Sequence, residues 1–222
     1  MSASTTGESA VTQQIVAAGV VAILRSATAE HYEAIAEVLV TAGVRVLEIT
    51  LTAADALPAL ARLAAGYADT DVVVGAGTVL STDQAEACLD AGAAFLVSPA
   101  TTPDVIATAR IAGVPAYPGA LTPTEILTAH LSGASAVKLF PASAVSPRYL
   151  MDVRAPLRDI TIMPTGGIGI DDIPAWIAAG AGAVGLGSPL IGGAAVDGPD
   201  PALAERARRA VEAVAQAHRQ RR

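Results

Sequence analysis

Lys138 is the only lysine in a chain whose other permanent cations are all arginines, and the difference is chemical. A guanidinium stays protonated and forms no imine, whereas a lysine amine can be stripped of solvent, lose its proton and add to a carbonyl carbon. Lys138 stands in Ala136-Val137-Lys138-Leu139-Phe140, an apolar strand-forming run in which Ala136, Lys138 and Phe140 share a face. Val137, Leu139 and Phe140 are expected to desolvate it. A buried charge without partner or task is costly, so a reactive amine is the preferred reading over a lysine that snorkels or pairs purely for stability. Glu48 is its complement, in Val46-Leu47-Glu48-Ile49-Thr50, on the face shared with Val44, Val46 and Thr50. If the strands run in phase both groups point inward, where a carboxylate near an amine can shuttle protons for carbonyl chemistry. The alternative is a static ion pair. Arg45 falls on the opposite face and reads as surface charge.

Two glycine-rich stretches, Thr165-Gly166-Gly167-Ile168 and Gly185-Leu186-Gly187-Ser188, could bring backbone N–H groups close to an anion. His31, His130 and His218 are scattered and no pair has ligand spacing, so no metal site is expected and all three read as surface residues. No cofactor is called for.

Positioning these groups falls to a repeated unit. A small-residue turn is followed by a short apolar run eight times, at residues 20–24, 44–50, 72–76, 94–97, 114–117, 136–140, 160–163 and 183–187. Between the runs lie amphipathic stretches with helix-start signals: Ser81 with Gln84, Thr122-Pro123 with Glu125, Thr102-Pro103 and Ser146-Pro147. Strand, capped helix and Ala-Gly return make the βα unit of a parallel sheet. Eight units predict a (β/α)8 TIM barrel, an α/β fold whose usual length of ~250 residues is slightly above this chain's. A short helix at about residues 11–18 would cover its bottom. An open doubly wound sheet is the alternative, but Gly75-Ala76-Gly77 is too fragmentary for its glycine fingerprint.

Barrels carry their chemistry at the carboxyl ends of the strands. There the sequence puts Arg25 after the first run, Glu48 and Thr50 on the second, Gly77-Thr78 after the third and Ser98-Pro99 after the fourth. Lys138 and Phe140 lie on the sixth, Thr165-Gly166-Gly167 follow the seventh and Gly187-Ser188 end the eighth. The two glycine loops close the last two strands, where barrels commonly bind phosphate.

Composition narrows the rest. The 222 residues suit one domain over 1–222, with 1–8 and 219–222 expected to be flexible. Apolar residues make up 52% and aromatics 3%, so the core must be Ala, Val, Leu and Ile. A net charge of −7 argues against a nucleic-acid surface. The basic cluster Arg206, Arg208, Arg209, Arg219, Arg221 and Arg222 reads as a solvated helix face and tail, with anion contact as the alternative. Cys88, the only cysteine, is expected in the core of a protein from a reducing compartment. The polar start has no export signal, so a cytoplasmic protein is expected. Residues 173–196 carry no charge, but glycines and Pro189 divide them into a helix end, a strand and a loop, so no membrane span is read there.

In combination, the stretches Gly43-Val44-Arg45-Val46-Leu47-Glu48-Ile49-Thr50-Leu51, Gly75-Ala76-Gly77-Thr78-Val79-Leu80, Val97-Ser98-Pro99, Val137-Lys138-Leu139-Phe140-Pro141-Ala142 and Pro164-Thr165-Gly166-Gly167-Ile168 resemble the 2-keto-3-deoxy-6-phosphogluconate (KDPG) and 4-hydroxy-2-oxoglutarate aldolases. The resemblance runs through most of the chain. It implies a class I lyase that cleaves KDPG to pyruvate and glyceraldehyde 3-phosphate, or 4-hydroxy-2-oxoglutarate to pyruvate and glyoxylate. It implies Lys138 as the imine-forming residue, Glu48 as general acid/base, Thr78, Pro99, Phe140 and Thr165 around the pyruvyl group, and Gly166, Gly167, Gly187 and Ser188 on phosphate. Many relatives carry an arginine where this chain has Thr52; Arg25 fits the role of carboxylate clamp, as in other members that lack that arginine. A homotrimer is also implied. The phosphogalactonate epimer as substrate, and a non-catalytic phosphate- or pyridoxal-phosphate-binding barrel, remain as alternatives.

Overall fold

A computed structural model describes residues 9–220. The expected flexible segments at 1–8 and 221–222 lie outside the described residues, while Arg219 and Gln220 continue the last helix. The strands are β1 (Val20–Leu24), β2 (Val46–Thr50), β3 (Val73–Gly77), β4 (Leu96–Val97), β5 (Ala116–Tyr117), β6 (Gly119–Ala120), β7 (Val137–Leu139), β8 (Ile162–Pro164) and β9 (Val184–Leu186). The helices are α1 (Ala10–Ala18), α2 (Tyr32–Thr41), α3 (Ala56–Gly66), α4 (Thr82–Asp90), α5 (Pro103–Ile111), α6 (Pro123–Leu131), α7 (Pro147–Arg154), α8 (Ile173–Ala178), α9 (Ser188–Ile191), α10 (Ala194–Asp197) and α11 (Pro201–Gln220).

All strand pairs are parallel, in a curled six-stranded sheet of order β5-β4-β3-β2-β1-β9 and a three-stranded sheet of order β6-β7-β8. The fifth apolar run was expected to end at Tyr117, but a strand resumes beyond Pro118 as β6. Proline has no N–H for the ladder, which breaks there, yet its carbonyl still accepts from Lys138 N at 2.9 Å. On the other side a parallel bridge joins Thr165 to Gly185.

Strands buried on both faces build two cores. Outward residues such as Val20, Ala22, Leu47, Ile49, Val137 and Leu139 pack with the helices. Inward residues Val21, Val46, Val73, Phe95, Val97, Tyr117, Ala136, Met163 and Ala183 form a second cluster fed from both sheets. Ile15 of α1 completes that cluster, and Thr12 one turn earlier holds the Tyr117 hydroxyl at 2.9 Å. The expected bottom-covering helix is therefore α1.

Cys88 is fully buried, as expected, and burial pushes its thiol up to about 11. Arg45 is a surface residue paired with Asp71 at 2.8 Å. His130 is exposed, and His31 and His218 are half-buried. Residues 173–196 divide into α8, β9, α9 and α10, and no described helix is long and apolar enough to cross a membrane.

Candidate active site

The alternation of β2 turns Val46, Glu48 and Thr50 to one face, and that of β7 turns Lys138 inward. Lys138 Nζ lies 3.8 Å from Glu48 Oε1, with side chains 11% and 4% exposed. That separation is an ion-pair distance and too long for a hydrogen bond. Among the described residues Oε1 has no hydrogen-bond partner, so one face of a buried carboxylate is left for other work. Lys138 Nζ also sits 5.1 Å from the centroid of the Phe140 ring, within reach of a cation–π attraction.

The surroundings of Lys138 match the sequence expectation only in part, since of Val137, Leu139 and Phe140 only Phe140 lies beside the amine. Val137 and Leu139 belong to the outer core and face the helices. Val97, Tyr117 and Met163, from three other strands, line a small pocket together with Lys138 and Glu48. Sequence neighbours in a strand point away from each other, so the solvent shield had to be assembled through space.

Above the pair opens a cavity of about 370 Å³ at the carboxyl ends of the strands. Every residue to which the family resemblance gives a role lines it: Arg25, Glu48, Thr78, Pro99, Lys138, Phe140, Thr165, Gly166, Gly167, Gly187 and Ser188. Ser98 is buried beside this group without lining the cavity. Thr52 lines it, and its hydroxyl is 2.8 Å from that of Thr50, which donates to the Leu24 carbonyl at 3.0 Å. Arg25 is exposed at the rim and makes no hydrogen bond or ion pair with the described residues, leaving its fork of donors available.

The loop after β8 can be built only from glycine. Gly166 and Gly167 have φ of 90° and 76°, and a Cβ on Gly167 would lie 2.5 Å from Ser143 Cβ. This loop is stitched to the turn after β7, because Ala142 N donates to Thr165 O and Ser143 N to Gly166 O, both at 2.9 Å. Thr78 is the one non-glycine among the described residues with positive φ, 62°, so the cavity wall also stores backbone strain.

Sequence reasoning named Gly77 and Gly185 but missed the room they make. A Cβ at Gly77 would fall 2.0 Å from Glu48 Oε1, and one at Gly185 would fall 2.4 Å from Thr165 Oγ1. Gly75-Ala76-Gly77 offered a signal, but its meaning depends on the register that pairs Glu48 with Gly75 and Thr50 with Gly77. Ile23, Ile191, Gly192 and Ala195 also line the cavity and had no chemical signature to find.

Among the described residues no group of His, Cys, Asp and Glu is arranged to hold a metal ion. An amine and a carboxylate facing one partly apolar cavity with a glycine-lined end can attack a carbonyl, move a proton and seat an anion.

Comparison with known proteins points the same way. The family described as KDPG and KHG aldolase matches over residues 11–206. A probable 2-dehydro-3-deoxy-6-phosphogalactonate aldolase of Rhizobium meliloti (strain 1021) is 37% identical over 171 residues, covering 77% of this chain and 80% of that protein. A 2-dehydro-3-deoxy-phosphogluconate aldolase of Treponema pallidum (strain Nichols) is 39% identical over 148 residues, 65% of this chain and 68% of that protein. Among solved structures, a KDPG aldolase from Legionella pneumophila, with pyruvate captured as a covalent carbinolamine intermediate, superposes with a TM-score of 0.75 at 26% identity, covering 92% of this chain and 97% of that one.

Proposed function

This chain belongs to the KDPG and KHG aldolase family, and from that premise we propose that it is a metal-independent class I aldolase acting on a phosphorylated 2-keto-3-deoxy acid, with KDPG as its substrate. The observation that carries the reading is the buried Lys138–Glu48 pair, 3.8 Å apart, facing one cavity. The neutral Lys138 amine adds to the C2 ketone, and loss of water from the carbinolamine gives an iminium. Glu48, through a water, takes the C4 hydroxyl proton; the C3–C4 bond breaks, its electrons pass to the iminium, and glyceraldehyde 3-phosphate leaves. The remaining enamine takes a proton at C3 with help from Glu48. Hydrolysis then returns the amine and releases pyruvate.

In this reading Thr78, Pro99, Phe140 and Thr165 surround the pyruvyl group, and Arg25 clamps its carboxylate in place of the arginine that Thr52 replaces. Gly166, Gly167, Gly187 and Ser188 take the phosphate, whose distance from the reacting bond lends orientation. The Rhizobium relative favours a second substrate, the phosphogalactonate epimer. Turnover of KDPG, the epimer and 4-hydroxy-2-oxoglutarate by wild type and Lys138→Arg tests both readings. KDPG should be the best substrate and the arginine variant should lose at least about a thousandfold in kcat, since no imine can form. An arginine variant with full turnover would overturn the mechanism, and a preference for the epimer would overturn the substrate.

The same proposal extends to the architecture. The two sheets close as one eight-stranded (β/α)8 barrel in a single domain, with β5 and β6 a single strand interrupted at Pro118; the Thr165–Gly185 bridge and the shared inner core support closure. A cytoplasmic homotrimer is the assembly the family likeness favours, and the exposed Ile111, Leu127 and Leu131 of α5 and α6 offer apolar surface for it.

A further inference from the structure

Arg206 departs from the solvated face expected of the basic cluster in the last helix. Arg208 and Arg209 do pair at the surface, with Glu205 and Asp171. Arg206 turns inward instead, with its side chain 22% exposed. Its Nε donates to the Leu190 carbonyl at 2.7 Å and its Nη2 to the Ile191 carbonyl at 3.1 Å. Asp200 holds the far side of the guanidinium, at 3.0 Å from Nη2 and 3.4 Å from Nη1.

The two carbonyls end α9, which stops at Gly192 with φ 61° and so leaves its last acceptors without helical donors. A planar guanidinium can bond both carbonyls and the carboxylate at once, which an ammonium's point charge does less well. Gly192 leaves room for it, because a Cβ there would lie 2.9 Å from Arg206 Nη2. The other end of this short segment is the cavity wall, formed by Gly187 and Ser188, with Ile191 and Gly192. Leu190 N and Ile191 N both donate to Gly187 O, at 2.9 and 3.0 Å, so the segment is tied together as one tight turn. A shift at Leu190 or Ile191 therefore displaces Gly187.

We infer that Arg206, braced by Asp200, is a positioning residue that holds the Gly187–Gly192 wall in place and thereby sets affinity for the phosphorylated end of the substrate without touching it. The inference rests on the phosphate reading proposed above. The hydrogen bond from Arg206 also holds the Asp200 carboxyl below the usual carboxylate range, consistent with a persistent brace.

Steady-state kinetics of Arg206→Met, Arg206→Lys and Asp200→Asn on the phosphorylated substrate, alongside borohydride trapping of pyruvate, test it. Arg206→Met should raise KM about tenfold with kcat changed less than about twofold, Arg206→Lys should recover part of that loss, and Asp200→Asn should raise KM about threefold. Pyruvate trapping on Lys138 should keep its wild-type rate in all three, because pyruvate carries no phosphate. Unchanged KM in the variants overturns the inference, as does a rise in KM accompanied by a matching loss of trapping, which marks general loss of structure. Should Arg206→Met fail to fold, Asp200→Asn decides. Wild type that traps no pyruvate refutes the aldolase reading itself. Wild type that traps pyruvate but binds phosphorylated and unphosphorylated substrate equally refutes the phosphate reading, and a wild-type phosphate preference retained by every variant refutes only the role of Arg206.

Discussion

Alanine at position 77 would push a methyl group into the Glu48 side chain, 2.0 Å from the present Oε1 and 2.7 Å from both Cδ and Cγ. The backbone there is ordinary strand and the three nearest atoms all belong to Glu48, so the change should act first on the placement of that side chain. Gly77→Ala is therefore expected to lower kcat about a hundredfold, the scale of a misplaced general acid/base, while Lys138 still captures pyruvate. Undiminished turnover would show that Glu48 needs no such clearance. Lys138 and Glu48 were legible in the sequence because a charged residue inside an apolar alternating run is conspicuous. The roles of Gly77 and Arg206 were not, since these lie in contacts with residues 29 and 16 positions away, set by strand register and helix packing.

Helix starts show how little separates a signal that acts from one that does not. Thr122-Pro123 and Thr102-Pro103 open helices alike, but only Thr122 has a glutamate three residues on. Glu125 Oε2 accepts from the N–H groups of Thr122 and Leu121 at 2.8 and 2.9 Å, while Thr122 Oγ1 accepts from Glu125 N at 3.3 Å. Val105 holds the matching place after Thr102 and offers no acceptor, and the Thr102 hydroxyl turns to the Ala100 carbonyl instead. The Thr122 backbone hydrogen bond, then that of Leu121 and the Thr122 hydroxyl, hold the Glu125 carboxyl below its ordinary range. A depressed folded value means that the stabilisation is full above the unfolded value and is lost as pH falls through the folded one. Glu125→Gln should thus cost about 0.5 kcal/mol near neutral pH, modest because the group is exposed, with the difference closing in acid. Urea unfolding of the two proteins at both pH values measures it; a gap that widens in acid would contradict the capping account. The break at Pro118 was equally local in cause, yet the strand beyond it escaped notice because Gly119-Ala120 has no strand signature of its own.

Across the whole molecule, the eight turn-and-run units were legible because a parallel sheet buried on both faces makes its strands continuously apolar. Their lengths were not. The runs at 114–117 and 136–140 shorten to β5 and β7, since ladder pairing, and not apolarity, decides where a strand ends. What the fold achieves is to bring one amine, unique in the chain, from β7 to within 3.8 Å of a carboxylate on β2, in a small pocket lined also by side chains from three further strands. That uniqueness makes the central claim easy to interrogate. Borohydride reduction in the presence of pyruvate, followed by peptide mass spectrometry, should find a reduced pyruvyl adduct on the peptide containing Lys138 and none in Lys138→Arg. Wild-type protein that is folded and yields no adduct at Lys138 would contradict the account.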